Sequence, residues 1–203
     1  DGPRRVSPLL IPMLMANGAA GLIGIDHGLK GPAMSVASAC ASGIDGIGLA
    51  WMMLRSGVID VAVTGASEST LTETGVAAFD RIGALSRRND DFSMTPAPFD
   101  KNRDGLVMGE GAGILVMETE THAKSRGAHI LAELAGYAST ADAYHVTAPS
   151  SEGTGGAEAI RQALVSAGVN TDEVDYISAH GTATQLNDAS ETKAVKAALG
   201  EYA

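Results

Sequence analysis

Apolar positions along the chain recur in two rhythms, one suited to a buried strand and the other to the turn of a helix. Continuous apolar or β-branched runs predict strands at Met34–Ala39, Val58–Gly65, Ile130–Tyr137 and Val174–Ala179. Leu106–Glu118 also reads as strand, interrupted by Gly109-Glu-Gly-Ala-Gly113. Helical spacing predicts a helix over Gly43–Ser56, with Ile44, Ile47 and Trp51 on one side, and another over Leu71–Ala84, with Val76 and Phe79 inward. Ala157, Ile160, Leu164 and Ala167 share a helical face, and Gly168 stands where a left-handed C-terminal cap belongs. A last helix is predicted over Asp188–Leu199. Leu9–Ile25 is apolar too, but Pro12, Asn17, Gly18, Gly21 and Gly24 interrupt it. It falls short of the roughly 20 residues a membrane span needs, so it reads as a buried helix.

Two stretches do not fit either rhythm. Ser86–Gly105, rich in Asn, Asp, Arg and Pro, is long for a structureless loop, and loops of that length usually serve function. Asp142–Gly156 reads as a second loop. Strand followed by helix recurs at Cys40 and again at His180, which points to two similar α/β halves.

Composition narrows the classes. A hydrophobic content of 45% with 19% charged residues is that of an ordinary globular protein with a sizeable core. The net charge of −10 argues against a general nucleic-acid binder. The single cysteine excludes an internal disulfide and fits a reducing compartment such as the cytoplasm. No secretory leader is visible, and the chain, starting at Asp1, reads as a piece of something longer.

That cysteine, Cys40, lies in Val36-Ala-Ser-Ala-Cys40-Ala-Ser-Gly43, where small neighbours leave the sulfur open to a bulky thioester. A helix starting just after it would set the thiol at the positive end of a helix dipole, which favours thiolate. A covalent nucleophile needs such a place, and a small buried hydrophobe is the alternative. His180-Gly-Thr-Ala-Thr184 follows a predicted strand, at the end where α/β proteins bind ligands. Thr182 and Thr184 alternate there, so both hydroxyls can point one way; the alternative is a turn that uses these groups structurally.

Asp188 and Glu191 are spaced as a helix capping box, the reading favoured over a catalytic pair. The Gly109–Gly113 run lacks the Lys-Ser/Thr of a phosphate loop and reads as glycines that admit close backbone packing. His27, His122 and His129 have no partner pattern, and His145 sits in a polar loop. Nothing shows metal-ligand spacing.

Six motifs occur in one order: Ser38-Ala-Cys40-Ala-Ser-Gly43, Arg88-Asn-Asp90, Pro98-Phe-Asp-Lys-Asn-Arg-Asp-Gly105, Gly109-Glu-Gly-Ala-Gly113, Asp142-Ala-Tyr-His145 and His180-Gly-Thr-Ala-Thr184. Together they resemble the β-ketoacyl-[acyl-carrier-protein] synthases, specifically the freestanding type II enzymes of fatty acid synthesis. The resemblance implies a thiolase-like α/β fold of two similar halves in a layered α-β-α-β-α core, normally a homodimer. Residues 1–140 would belong to the first half and 141–203 would begin the second.

It further implies decarboxylative condensation of acyl- and malonyl-carrier protein. Cys40 would carry the acyl group and His180 would hydrogen-bond the malonyl carbonyl. Thr182 and Thr184 would bind the phosphopantetheine arm, Thr147 would line the tunnel mouth and Phe79 the acyl pocket. Arg4 and Arg5 would dock acyl carrier protein. No cofactor, metal, nucleic acid or membrane is implied. A second catalytic histidine, a lysine and a Gly-rich loop of the family would follow residue 203, so residues 1–203 alone are expected to be inactive.

Ala97 and Gln185 depart from the family's usual Arg and Pro. A type II polyketide ketosynthase, a non-catalytic chain-length-factor-like subunit and a degradative thiolase are the alternatives. Cys40 counts against the second, and the His-Gly-Thr-Ala-Thr element against the third.

Overall fold

In the computed structural model, which describes residues 2–200, the helices sit close to where the apolar rhythm puts them. In chain order the elements are α1 (Leu10–Leu14), α2 (Gly18–His27), α3 (Ser42–Arg55), β1 (Val61–Glu68), α4 (Glu73–Arg81), β2 (Gly111–Glu118), α5 (Glu120–Ser125), α6 (Thr154–Ala167) and α7 (Gln185–Leu199). Short 3₁₀ turns lie at Pro3–Arg5, Phe92–Met94 and Thr171–Glu173. Strands β1 and β2 pair into a two-stranded sheet. Residues Leu85 and Leu106 make an isolated parallel bridge that closes the long loop between them.

Three helix starts are explained by their own sequence. Thr72, Thr119 and Thr184 are the N-caps of α4, α5 and α7, their hydroxyls accepting the backbone N–H groups of Gly75, His122 and Asn187. Helix α6 ends on Gly168 in the left-handed region, as its position predicts. Helix α3 is set close on β1: a Cβ at Gly43 would lie 2.9 Å from Ala66 Cβ.

The chain divides into two compact units. One takes the residues up to Ala66 together with Gly113–His129, hence α1–α3, α5 and most of both strands. Its buried apolar residues are Ala50, Leu54 and Ala123. The other takes Ser67–Ala112 and the chain from Ile130 onward, with α4, the long loop, α6 and α7. Its buried apolar residues are Ala157, Ala183 and Ala194, and α6 packs on α7 through the small residues Gly156 and Ala194.

Several expectations are corrected. The Leu9–Ile25 segment is two helices, because Met15 turns extended and the chain re-enters helix only at Gly18. It is not buried either, Met13 being 78% exposed. The segments Met34–Ala39, Ile130–Tyr137 and Val174–Ala179 form no strand ladder among the described residues, for a strand exists only where a neighbour pairs its N–H and C=O groups. Val76 and Phe79 on α4 are exposed rather than inward, and α4 carries no buried residue. A Cβ at Gly109, Gly111 or Gly113 would meet nothing. The close approach belongs to Gly65 opposite, where a Cβ would run into the Gly113 carbonyl and sit 2.9 Å from Ile114 Cα.

Candidate active site

Cys40 is a free, exposed cysteine lying two residues before the first turn of α3. It stands just after Ala39, whose φ of 52° is in the left-handed region that residues with a Cβ adopt rarely. The chain therefore reverses sharply at Ala39–Cys40. Ala41 N–H donates to the Ser38 carbonyl at 3.1 Å, and Ser42 N–H to the Ala39 carbonyl at 3.1 Å. This bend leaves Cys40 at the surface just ahead of the helix. In the same unit Arg4 and Arg5 lie on the exposed Pro3–Arg5 turn.

The second element is His180-Gly-Thr-Ala-Thr184, in the other unit. His180 is exposed, and Gly181 (φ 50°) and Ala183 (φ 60°) are both left-handed, so the segment is a compact loop leading into α7. The Thr182 and Thr184 hydroxyls lie 2.9 Å apart, so the two side chains do share one side of the segment. Thr184 is also the N-cap of α7, accepting Asn187 N–H at 3.3 Å, and that bond fixes its rotamer.

Helix α7 holds this loop and its neighbours through residues whose role the sequence conceals. Glu191 accepts the N–H groups of His180 at 2.6 Å and of Gly181 at 2.9 Å, one on each carboxylate oxygen. Asn187 Nδ2 donates to the same carboxylate at 3.1 Å. Asp188, 1% exposed, accepts the N–H of Phe99 at 2.7 Å and faces Arg103 Nε at 3.5 Å. The capping box expected of Asp188 and Glu191 is thus absent: α7 starts at Gln185, so both acids lie inside it and reach across to other segments.

Arg103 completes the tie by donating to the carbonyls of Thr184 at 3.0 Å and Gln185 at 2.9 Å. Gln185 answers from its side-chain amide to the Arg103 carbonyl at 2.6 Å. Within the long loop, the Ser86 hydroxyl at 2.8 Å and the Arg87 N–H at 3.1 Å hold the Asp104 carboxyl below the usual carboxylate range.

The loop carrying Thr147 is held by the same helix. Ser190 Oγ donates to the Ser150 carbonyl at 2.7 Å, and Lys193 Nζ to the Ser151 carbonyl at 2.9 Å. Thr147 is exposed, its N–H and that of Ala148 donating to His145 Nδ1 at 3.2 and 3.1 Å. His145, a polar-loop histidine by sequence, thus organises the turn that presents Thr147. Phe79, on α4, is 37% exposed and lies in neither of these two elements.

A hollow of ≈180 Å³ in this unit is lined by Phe99, Ile177, Ala179, Glu191, Thr192 and Val195. Among the described residues no cluster of His, Cys, Asp and Glu could hold a metal ion, and no helix is long and apolar enough to cross a membrane.

Comparison with known proteins bears on this arrangement. The profile of the beta-ketoacyl synthase N-terminal domain matches residues 1–123, and that of the C-terminal domain matches residues 131–203. The chain is 47% identical over 202 residues to 3-oxoacyl-[acyl-carrier-protein] synthase 2 of Staphylococcus aureus, covering 100% of this chain and 50% of that protein. It is 46% identical over 200 residues to the synthase 2 of Vibrio cholerae, covering 98% and 48%.

A solved type II polyketide acyl-carrier protein in complex with its ketosynthase, bound to the hexaketide, aligns at a TM-score of 0.94 and 39% identity. That alignment covers 98% of this chain and 49% of the solved one. A beta-ketoacyl synthase of Burkholderia phymatum aligns at a TM-score of 0.91 and 38% identity, covering 97% and 47%. The chain thus spans about half the length of the curated relatives it matches. With both family domains matched in order and a ketosynthase fold, the chain belongs to the beta-ketoacyl synthase family.

Proposed function

We propose that the protein carrying this chain condenses acyl-[acyl-carrier-protein] with malonyl-[acyl-carrier-protein] to 3-oxoacyl-[acyl-carrier-protein], elongating fatty acids. The observation that carries this reading is the exposed Cys40 at the head of α3, within a chain matched end to end by 3-oxoacyl-[acyl-carrier-protein] synthases.

The Cys40 thiolate attacks the acyl thioester carbonyl. The carrier's thiol leaves and an acyl–Sγ bond forms. The malonyl group then loses carbon dioxide, and the electron pair of the broken C–C bond becomes an enolate. The enolate carbon attacks the Cys40 thioester, forming the new C–C bond and releasing the thiolate.

His180 donates a hydrogen bond to the malonyl carbonyl oxygen, where charge develops as carbon dioxide departs. The backbone N–H of Cys40 donates to the oxyanion of the acyl step. Thr182 and Thr184, held on one side of their loop, bind the phosphopantetheine arm. Thr147 lines the tunnel mouth and Phe79 the acyl pocket.

Arg4 and Arg5, exposed on the Pro3–Arg5 turn, dock acyl carrier protein; a local basic pair can steer an acidic partner on a chain of net charge −10. The solved ketosynthase that binds its own acyl-carrier protein supports this partner. The enzyme works in the cytoplasm as a homodimer, without a cofactor.

Specialised type II polyketide synthesis is the second reading, favoured by the TM-score of 0.94 to a polyketide ketosynthase. One experiment tests both. The full-length protein is incubated with acyl carrier protein bearing a medium-chain acyl group, and peptide mass spectrometry follows the Cys40 peptide, with Cys40→Ala as control. The expected result is an acyl adduct on Cys40 that discharges on adding malonyl carrier protein, giving a product longer by one two-carbon unit. Repeated extension without reduction would favour the polyketide reading, and an unmodified Cys40 in the folded protein would overturn both.

A further inference from the structure

We propose that Ser42 is a positioning residue for Cys40: its hydroxyl latches the reverse turn that presents the sulfur. The inference rests on Cys40 being the nucleophile, and it assigns to a neighbouring side chain the task of holding it.

The turn contains a residue out of place. Ala39 sits at φ 52° with a Cβ and nothing glycine-like about it, so its conformation must be imposed from outside. The Ser42 hydroxyl grips both sides of it. Its oxygen accepts the Ser38 N–H at 2.9 Å, on the entering side, and its O–H donates to the Ala39 carbonyl at 2.7 Å, on the leaving side. One side chain therefore closes the backbone over Ala39 and Cys40, and no backbone group could supply both bonds.

The frame to which the latch is anchored is firm. Ser42 is the first residue of α3, and the next residue, Gly43, approaches β1 so closely that a Cβ would sit 2.9 Å from Ala66 Cβ. A second tie runs in parallel: the Ser38 hydroxyl donates to the Asp45 carboxylate in the first turn of α3. Without the Ser42 hydroxyl, the turn keeps only the Ala41 and Ser42 N–H bonds to the Ser38 and Ala39 carbonyls and the Ser38–Asp45 tie, and the strain at Ala39 is relieved by relaxation toward negative φ. That rotates the following peptide and moves the Cys40 sulfur, although the helix behind it is unchanged. Acyl transfer needs the sulfur in line with a carbonyl carbon, so a small displacement is felt in the rate more than in carrier binding.

The test is single-turnover acylation of Cys40 in the full-length protein, read by peptide mass spectrometry at rising concentrations of acyl carrier protein. Ser42→Ala is expected to lower the maximal acylation rate roughly tenfold or more. The half-saturating carrier concentration should stay within about twofold of wild type. Ser42→Thr, which keeps the hydroxyl, should restore most of the rate. Thermal unfolding checks that each variant is folded; if Ser42→Ala is not, Ser42→Gly carries the same comparison.

A Ser42→Ala protein acylated at the wild-type maximal rate would overturn the latch, as would a Ser42→Thr protein as slow as Ser42→Ala. Either result leaves the nucleophile standing, since Cys40 is acylated in the wild type. An unacylated wild-type Cys40 would instead overturn the nucleophile and the latch together.

Discussion

Glu191 grips the backbone of His180: one carboxylate oxygen accepts the His180 N–H at 2.6 Å and the other the Gly181 N–H at 2.9 Å. The imidazole is thus held through its main chain, by a residue that need never touch substrate. An amide at this position keeps one acceptor and turns a donor toward the second N–H. Glu191→Gln is expected to weaken the loop by about 1.5–3 kcal/mol, the range for hydrogen bonds to a charged group. Decarboxylation of malonyl carrier protein should fall while acylation of Cys40 is largely kept. Assaying the two half-reactions separately decides the matter, and equal losses in both would remove the positioning role.

Asp188 and Arg103 make a different kind of pair. Asp188 is almost wholly enclosed and Arg103 nearly so, with 3.5 Å between them and the Phe99 N–H donating to the same carboxylate. Removing one partner strands the other charge and an amide in a buried place. Asp188→Ala is expected to lower unfolding stability by about 3–5 kcal/mol. Urea unfolding of the full-length protein measures it, and a midpoint equal to wild type would show that the pair is solvated.

In the other unit, Glu118 links stability to acid. Arg126, and after it His122 at 2.5 Å, hold the Glu118 carboxyl down to about 2, well below the usual carboxylate range. A carboxyl whose folded value is lowered stabilises the fold above its unfolded value, and that stability is lost as pH falls toward the folded one. Wild-type stability should therefore decline from the ordinary carboxylate range down to about pH 2, and less steeply in Glu118→Gln. Because Arg126 is half exposed, added salt should shrink the difference. Parallel acid titrations by circular dichroism would refute this if the two curves coincide.

Gly153 precedes α6 at φ 63°, where a Cβ would run into the Ser190 carbonyl and lie 2.9 Å from Ala194 N. Gly153→Ala combines a strained backbone with a collision against α7, and is expected to cost roughly 1–3 kcal/mol. A lowered melting temperature is the readout, and an unchanged one would mean that the two helices can part freely.

The contrast between what the sequence reveals and what it hides follows from where hydrogen bonds close. Helices α3 and α6 were legible because a helix satisfies its backbone within one segment, and Gly168 marks its end by conformation alone. Runs such as Ile130–Tyr137 look equally apolar, but their ladders depend on neighbours distant in sequence. The same division runs through the candidate residues. Cys40 and the Thr182–Thr184 pair are visible because small flanking residues and two-residue alternation are local signals. The role of Asp188 is hidden because its bond to Phe99 spans 89 residues, while its spacing to Glu191 imitates a cap. The available clue was that two acids three residues apart share one face of a helix whose start is already capped by Thr184. Gln185, a departure from the family's proline, turns out to supply a side-chain bond to Arg103 that proline could not.

Helix α7 carries more than its own stability. Thr184, Asp188, Glu191, Ser190 and Lys193 fasten three separate segments to it: the His180 loop, the Phe99–Arg103 stretch and the Ser150–Ser151 turn. Detachment of that one support releases all three at once, which makes them a single opening unit. The amide protons of Phe99, His180 and Gly181 would then exchange with solvent at a common rate governed by the detachment of α7. A lesion anywhere along this helix would spread to all three segments alike.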